Sequence, residues 1–311
     1  MVEVVAIGEP LVAFYGASRG SLVDERVFHR TWGGDTSNFV LAVAKLGHHP
    51  GYVTRVGCDP WGESLLNLWK QAGVDTSHVV TDPDRPTGLY FSSRHDANHE
   101  FVYHRENSAA SRLCPDDIDP HYIAAAKVVH LSGITQAISY SSLEASFFAM
   151  NVAKEHGVLI SYDPNIRPRF WSSGAVQAVV RYTVENLADI VLATSDELRA
   201  LFGDVAAPEA ADRLIARGAK LIAVKMGRRG CYIASHSGAA AAKAFEIQVE
   251  DTVGAGDAFD AAVIACLLEG QPLDLMARFA NAAAALTCRG RGPLESQPTR
   301  EEVQQFLIRL A

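Results

Sequence analysis

Basic residues are the minority in this chain. Lys and Arg number 28 against 36 Asp and Glu, a formal net charge of −8 over 311 residues. That balance argues against a general nucleic-acid binder or a polybasic membrane anchor and leaves room only for local basic pockets. Cysteine is also sparse: Cys58, Cys114, Cys231, Cys266 and Cys288 are scattered, odd in number and form no Cys-x-x-Cys pair. They read as reduced, mostly buried thiols, not as a disulfide frame or a zinc site. No segment reaches 18 uninterrupted apolar residues, and the opening residues carry Glu3 where a signal peptide needs basic ones. Two nucleotide fingerprints are missing as well. There is no G-x-x-x-x-G-K-[ST], and Gly254-x-Gly256 lacks a third glycine and comes late in the chain. The expectation is a soluble cytoplasmic protein without nucleic-acid or membrane partners.

What is present is ample core material, 48% hydrophobic residues against 21% charged, which excludes a disordered chain. Short β-branched runs at 2–7, 52–56, 128–131, 158–162, 190–193 and 221–225 alternate with helical spacing at 36–46, 61–69, 141–155 and 175–187. The last third, at 258–268, 273–287 and 300–310, is mainly helical. Repeated strand–helix–strand order predicts an α/β, doubly wound and mostly parallel sheet with helices on both faces. Residues 10–32 and 86–105 break the rhythm, and a period of two places Phe101, Tyr103 and Arg105 on one face. A small β-sheet inserted into a single domain spanning 1–311 accounts for both stretches; two ordinary surface loops are the plainer alternative.

The densest chemical signal is Asp251-Thr-Val-Gly254-Ala-Gly256-Asp257-Ala-Phe259, placed after a strand-like run at 245–249 and before the apolar helix. Glycines there admit a ligand close to the backbone, and the first helical turn offers unpaired N–H groups to a phosphate. Asp257 in that turn, kept ionised by the helix dipole, would accept the proton of an attacking hydroxyl. The same residues would also suit an Asp that only helps to cap the helix. Thr194-Ser-Asp-Glu197 reads as a capping box after the strand at 190–193.

With the early Gly33-Gly34-Asp35-Thr36-Ser37-Asn38, the 251–259 segment closely resembles the paired signatures of the ribokinase-like (PfkB) carbohydrate kinases. Gly33-Gly-Asp-Thr36, Ser132-Gly133-Ile134 and the stretch from Asp163-Pro-Asn-Ile-Arg167 to Trp171 resemble the 2-keto-3-deoxygluconate kinases within it. The resemblance runs nearly end to end and implies a β-sheet lid over the large sheet. It implies ATP and Mg²⁺, leaves room for a monovalent cation and a homo-oligomer, and makes a sugar acid the substrate, phosphorylated at O6. A neutral sugar such as fructose or ribose is the alternative.

Residue by residue, the resemblance implies that Asp257 is the base beside an anion hole of Gly254, Ala255 and Gly256. Gly33, Gly34, Asp35 and Asn38 would meet sugar hydroxyls, with Tyr90, Tyr103, Arg105 and Ile134 around the sugar. Arg105 would fork onto a carboxylate. Arg167 would take the substrate carboxylate or the transferred phosphoryl group; an Arg paired with a nearby acid is the plainer alternative. Asn165, Arg167, Lys225, Gly227, Gly230 and Asn281 would line the nucleotide, although the two glycines also suit a hairpin turn. The family carries N-x-x-E at 194–197, its Glu organising water around Mg²⁺; here Thr194 replaces the Asn, leaving Glu197 as the metal-region candidate. Arg291 stands where some keto-deoxygluconate kinases carry an acid. His95, His99 and His104 read as solvated lid residues, not as a metal site.

Two other classes compete with this reading. Gly16-Ala-Ser18-Arg-Gly20 matches G-x-S-x-G, but residues 21–32 show no helical face to complete a nucleophile elbow. A catalytically silent binder on the kinase fold would be expected to lack the Asp257 base.

Overall fold

The computed structural model describes residues 1–95, 98–167 and 172–309. Its large sheet has the strand order β13-β12-β11-β10-β9-β8-β1-β4-β5. In chain order these strands are β1 (Val4–Ile7), β4 (Pro50–Gly57), β5 (Val79–Asp82), β8 (Val128–Ser132) and β9 (Leu159–Asp163). They continue as β10 (Ile190–Thr194), β11 (Leu221–Lys225), β12 (Cys231–Ser235) and β13 (Gly238–Ala242). Pairing is parallel from β5 across to β11, and β12 and β13 close the edge antiparallel. Strands covered on both faces need continuous apolar runs, and β1 and β8 are buried along their whole length.

A second sheet has the order β3-β2-β6-β7, built from β2 (Leu11–Arg19), β3 (Phe28–Gly33), β6 (Leu89–His95) and β7 (Asn98–His104). Its strands fall in the two stretches that break the α/β rhythm. One face is aromatic: Tyr15, Tyr90, Phe101 and Tyr103 pack together, and the Tyr15 and Tyr90 hydroxyls lie 3.1 Å apart. Gly16–Gly20 lies along β2 and its end, with Ser18 hydrogen-bonded to Glu25, and β3 follows in place of a helix. The strand–turn–helix geometry of a hydrolase elbow is therefore not formed.

Three details depart from the sequence reading. Residues 245–249 form no strand: β13 ends at Ala242, and Phe245 packs edge-on against Phe306 at 5.2 Å. β13 itself is the alanine-rich 239–242 run, paired with β12 as the sheet edge. The expected helix at 175–187 is three pieces, Ser173–Ala175, a π-turn at Val176–Val180 and Arg181–Asn186.

The parallel order fixes the position of the site. From β1 the chain runs outward through β4 on one side and through β8, β9, β10 and β11 on the other. This reversal opens a crevice at the carboxyl ends of β1 and β8, where doubly wound sheets bind ligands. The helix Asp35–Lys45 crosses that region and buries Phe39, Val40 and Val43, while the helix Ala255–Leu268 packs beside it. Trp69 stands under the first helix, fully buried, edge-on to Tyr52 at 4.9 Å, with its indole N–H on Ser37 Oγ at 3.0 Å. Replacing it, Trp69→Ala, is expected to cost about 3–5 kcal/mol of folding free energy. Denaturant unfolding monitored by far-UV circular dichroism would measure it, with Trp69→Phe losing distinctly less.

Candidate active site

The diglycine turn at the end of β3 starts the helix Asp35–Lys45. Gly34 has φ +94°, and a Cβ there would stand 2.3 Å from the Glu9 carbonyl oxygen. Only glycine permits both the angle and the approach. At the adjacent Gly33, a Cβ would meet the Tyr90 hydroxyl at 2.8 Å, so the turn runs directly beneath the second sheet. Gly133 is similarly tight, 2.0 Å from the Pro164 carbonyl oxygen for a built Cβ, which sets the half-buried Ile134 beside the loop after β9.

Gly254, with φ +81°, turns the chain into the helix Ala255–Leu268 and leaves Asp257 in its first turn. The Asn38 amide donates to Asp257 Oδ2 at 2.7 Å, so residues 219 positions apart meet. The Asn165 amide donates to Asp35 Oδ2 at 2.8 Å, joining the diglycine helix to the loop after β9. Asn165 holds φ +39°, uncommon for a non-glycine residue. Lys225 Nζ lies between Asp260 Oδ2 at 2.9 Å and Asp163 Oδ2 at 3.1 Å, and a Cβ on Gly256 would be 3.7 Å from that ammonium.

The helix dipole does not keep Asp257 at an ordinary carboxylate pKa, as the sequence alone suggests. Burial first, then the neighbouring Asp35 and Asp163 charges, push it up to about 7, against the Asn38 hydrogen bond and Lys225. Asp35 is raised by burial as well. Glu9, which the sequence reading missed, is 2% exposed; burial and the Asp35 charge push it up to about 7 against Arg105. Lys225 stays protonated: burial works against its charge, but Asp163, Asp260 and Glu197 outweigh it.

Several expected ligand contacts have partners inside the protein. Arg105 donates from Nε to Glu9 Oε1 at 3.1 Å and pairs through Nη2 with Glu9 Oε2, so a side chain of this protein already takes one edge of its fork. Glu197 closes the capping box with Thr194, whose N–H and hydroxyl donate to Oε2 at 2.7 and 2.8 Å, and accepts the Ile166 N–H at 2.9 Å. Direct metal ligation would compete with these bonds, and no cluster of three metal-ligating side chains occurs among the described residues. The Asn281 amide donates to the carbonyls of Ala242 and Lys243 at 3.0 and 3.3 Å, holding the end of β13. Gly227 and Gly230 form the β11–β12 turn with positive φ, and Gly227 has open space above it. Arg167 is exposed at the end of the loop after β9; residues 168–171 of that motif lie outside the described residues.

Arg291 does not enter the sugar corner. Its guanidinium donates to the β2 carbonyls of Gly16 and Ala17, the latter at 3.4 Å, and so fastens the second sheet to the 289–293 segment. Arg94 makes a parallel tie from β6 to Glu250, by its carbonyl and by its carboxylate at 3.5 Å. His104 is exposed against Phe91, while the His95 and His99 side chains lie outside the described residues. Two clefts, lined in part by Arg85 and Arg112 and by Tyr122 and Asp75, lie elsewhere on the surface.

A family model described as the pfkB family carbohydrate kinases matches residues 1–300. The chain belongs to that family. It is 34% identical over 316 residues to a 2-dehydro-3-deoxygluconokinase of Thermoproteus tenax, covering 99% of this chain and 94% of that one. It is 33% identical over 314 residues to fructokinase-1 of Zea mays, covering 98% and 97%. Among solved structures, a putative ribokinase II of E. coli in complex with ATP and Mg²⁺ superposes with a TM-score of 0.92 at 26% identity, over 99% of this chain and 100% of that one. The ribokinase-like architecture and its small second sheet agree with the sequence reading.

Asn38 lowers the Asp257 pKa, so Asn38→Ala is expected to move the acid limb of the kcat/KM profile from near pH 7 to higher pH. Kinase assays across pH 5–9 would measure that shift; an unmoved limb would remove Asp257 from the titration that controls rate.

Proposed function

We propose that this carbohydrate kinase transfers the γ-phosphoryl group of ATP to a hydroxyl of a sugar acid, 2-keto-3-deoxygluconate, at O6. The observation that carries the kinase chemistry is Asp257 in the first turn of the helix Ala255–Leu268, held by Asn38 from the diglycine helix. A sugar lying on Gly33–Gly34 under Tyr90 and Tyr103 would bring a hydroxyl to that carboxylate. With a pKa near 7, Asp257 is ionised in a large fraction of molecules at neutral pH and basic enough to take the hydroxyl proton as the new O–P bond forms. The N–H groups of Ala255, Gly256 and Asp257 would face the phosphoryl oxygens at the positive end of the helix. Asn165, Lys225 and the open Gly227 turn are the nucleotide side.

Mg²⁺ would arrive with ATP, held chiefly by phosphates and water, and would neutralise charge on the transferred group. The residues fit this outer role: Glu197 has its oxygens on N–H and hydroxyl donors, so it would reach the ion through water. The ATP–Mg²⁺ complex of the E. coli relative supports the nucleotide assignment, and the T. tenax enzyme supports the sugar acid. We further infer that the second sheet and the 10–32 and 86–105 segments act as a lid that excludes water from the phosphoryl group.

Two observations favour the neutral-sugar reading: Glu9 already balances the Arg105 charge, and the Z. mays fructokinase is nearly as similar. Parallel kinetics on 2-keto-3-deoxygluconate, fructose, ribose and gluconate separate the two. Asp257→Asn is expected to cut turnover by orders of magnitude while ATP still binds, measured by ADP release and by nucleotide titration; near-normal turnover would refute the base. Arg105→Ala is expected to raise KM for the acid far more than for a neutral sugar, and equal losses on both would remove the carboxylate contact.

A further inference from the structure

Glu9 follows β1 by two residues and brings a carboxylate into the sugar corner. Its main-chain oxygen lies against Gly34, and its side chain pairs with Arg105 through both Nε and Nη2. Glu9 and Arg105 are 2% and 8% exposed, so water does little to screen the pair. The other charged or titratable groups acting on this pair come from three elements. Asp35 opens the diglycine helix, Tyr103 in β7 lies 5.6 Å from the Arg105 guanidinium, and Tyr52 in β4 senses both Glu9 and Asp35. Arg105 is the cation paired with Glu9, and Tyr103 senses a second one, the exposed Arg167.

A sugar acid docking here would add a third carboxylate to Glu9 and Asp35 around one guanidinium. Like charges at this spacing disfavour joint ionisation, and the least costly relief is protonation of one buried acid. We propose that Glu9 is that acid: it holds Arg105 in the empty site and takes up one proton from solvent when the substrate carboxylate engages Arg105. The inference rests on the sugar-acid reading above. Glu9 is already pushed up to about 7 in the empty site, so an added anion has only a small further distance to move it. The sign follows from linkage. The complex binds more protons than the free enzyme, so affinity for the acid falls as pH rises above 7, by up to about tenfold per unit.

The test is isothermal titration calorimetry of 2-keto-3-deoxygluconate binding without ATP, at pH 7.5, in buffers of different ionisation enthalpy. The Asp257→Asn enzyme is titrated alongside the wild type to remove the other group that titrates near 7. Both are expected to take up about three-quarters of a proton per site at this pH, because Glu9 near 7 is already partly protonated, and Glu9→Gln in the Asp257→Asn background to take up none. Zero uptake by wild type and by Asp257→Asn overturns the proposal without needing the Glu9 variant to fold, as does full uptake that persists in Glu9→Gln. If the acid neither binds nor turns over while fructose does both, the sugar-acid reading fails and takes this inference with it.

Discussion

The arrangement of this protein depends on gathering carboxylates where a parallel sheet opens. Glu9, Asp35, Asp163, Asp257 and Asp260 converge near the carboxyl ends of the strands, with Lys225 and Arg105 held between them. Burial and mutual repulsion make the protons of Glu9, Asp35, Asp257 and Asp260 come off late, whereas Lys225 holds Asp163 below the usual carboxylate range. Burial first, and that repulsion after it, brings Asp257 near neutrality, where a carboxylate is well matched to accept a proton. Lys225 limits the effect: paired with both Asp163 and Asp260, it makes their burial tolerable and keeps positive charge beside Gly256.

The second sheet is fastened to this corner at several points. Tyr90 rests on Gly33, Arg105 enters from the end of β7, and Arg94 and Arg291 reach the segments on either side of the glycine turn. Because Arg291 spends its donors on β2 carbonyls, its charge bears on the seating of the sheet and not on the sugar. A side chain whose role the sequence leaves open thus becomes a clamp once its neighbours are known.

Much of the fold was legible in the residues themselves. Alternation of β-branched runs with helical periodicity marked the parallel sheet, and aromatic period-two spacing at 101–105 marked the second one. The glycine-bounded motifs located the diglycine turn and Asp257, because positive φ and close backbone approach admit few other residues. Errors fell where local pattern lacks tertiary support. The 245–249 run alternates like a strand but finds no neighbour to pair with, and an alanine run too bland to read takes the sheet edge through its pairing with β12.

The amino-acid sequence alone determined the fold class through its periodicity, carried the family in the resemblance of two glycine-bounded motifs, and placed Asp257 in the first turn of a helix. Tertiary structure decided the partners: Asn38 on Asp257, Glu9 on Arg105, Asp260 on Lys225 and Arg291 on β2. It also decided the acidity of the site, raising the Asp257 pKa where the helix dipole alone would lower it. The reason is range. A turn or a helix is set by residues a few positions apart, whereas the charge felt by a buried carboxyl is the sum over groups that only folding brings within a few ångströms.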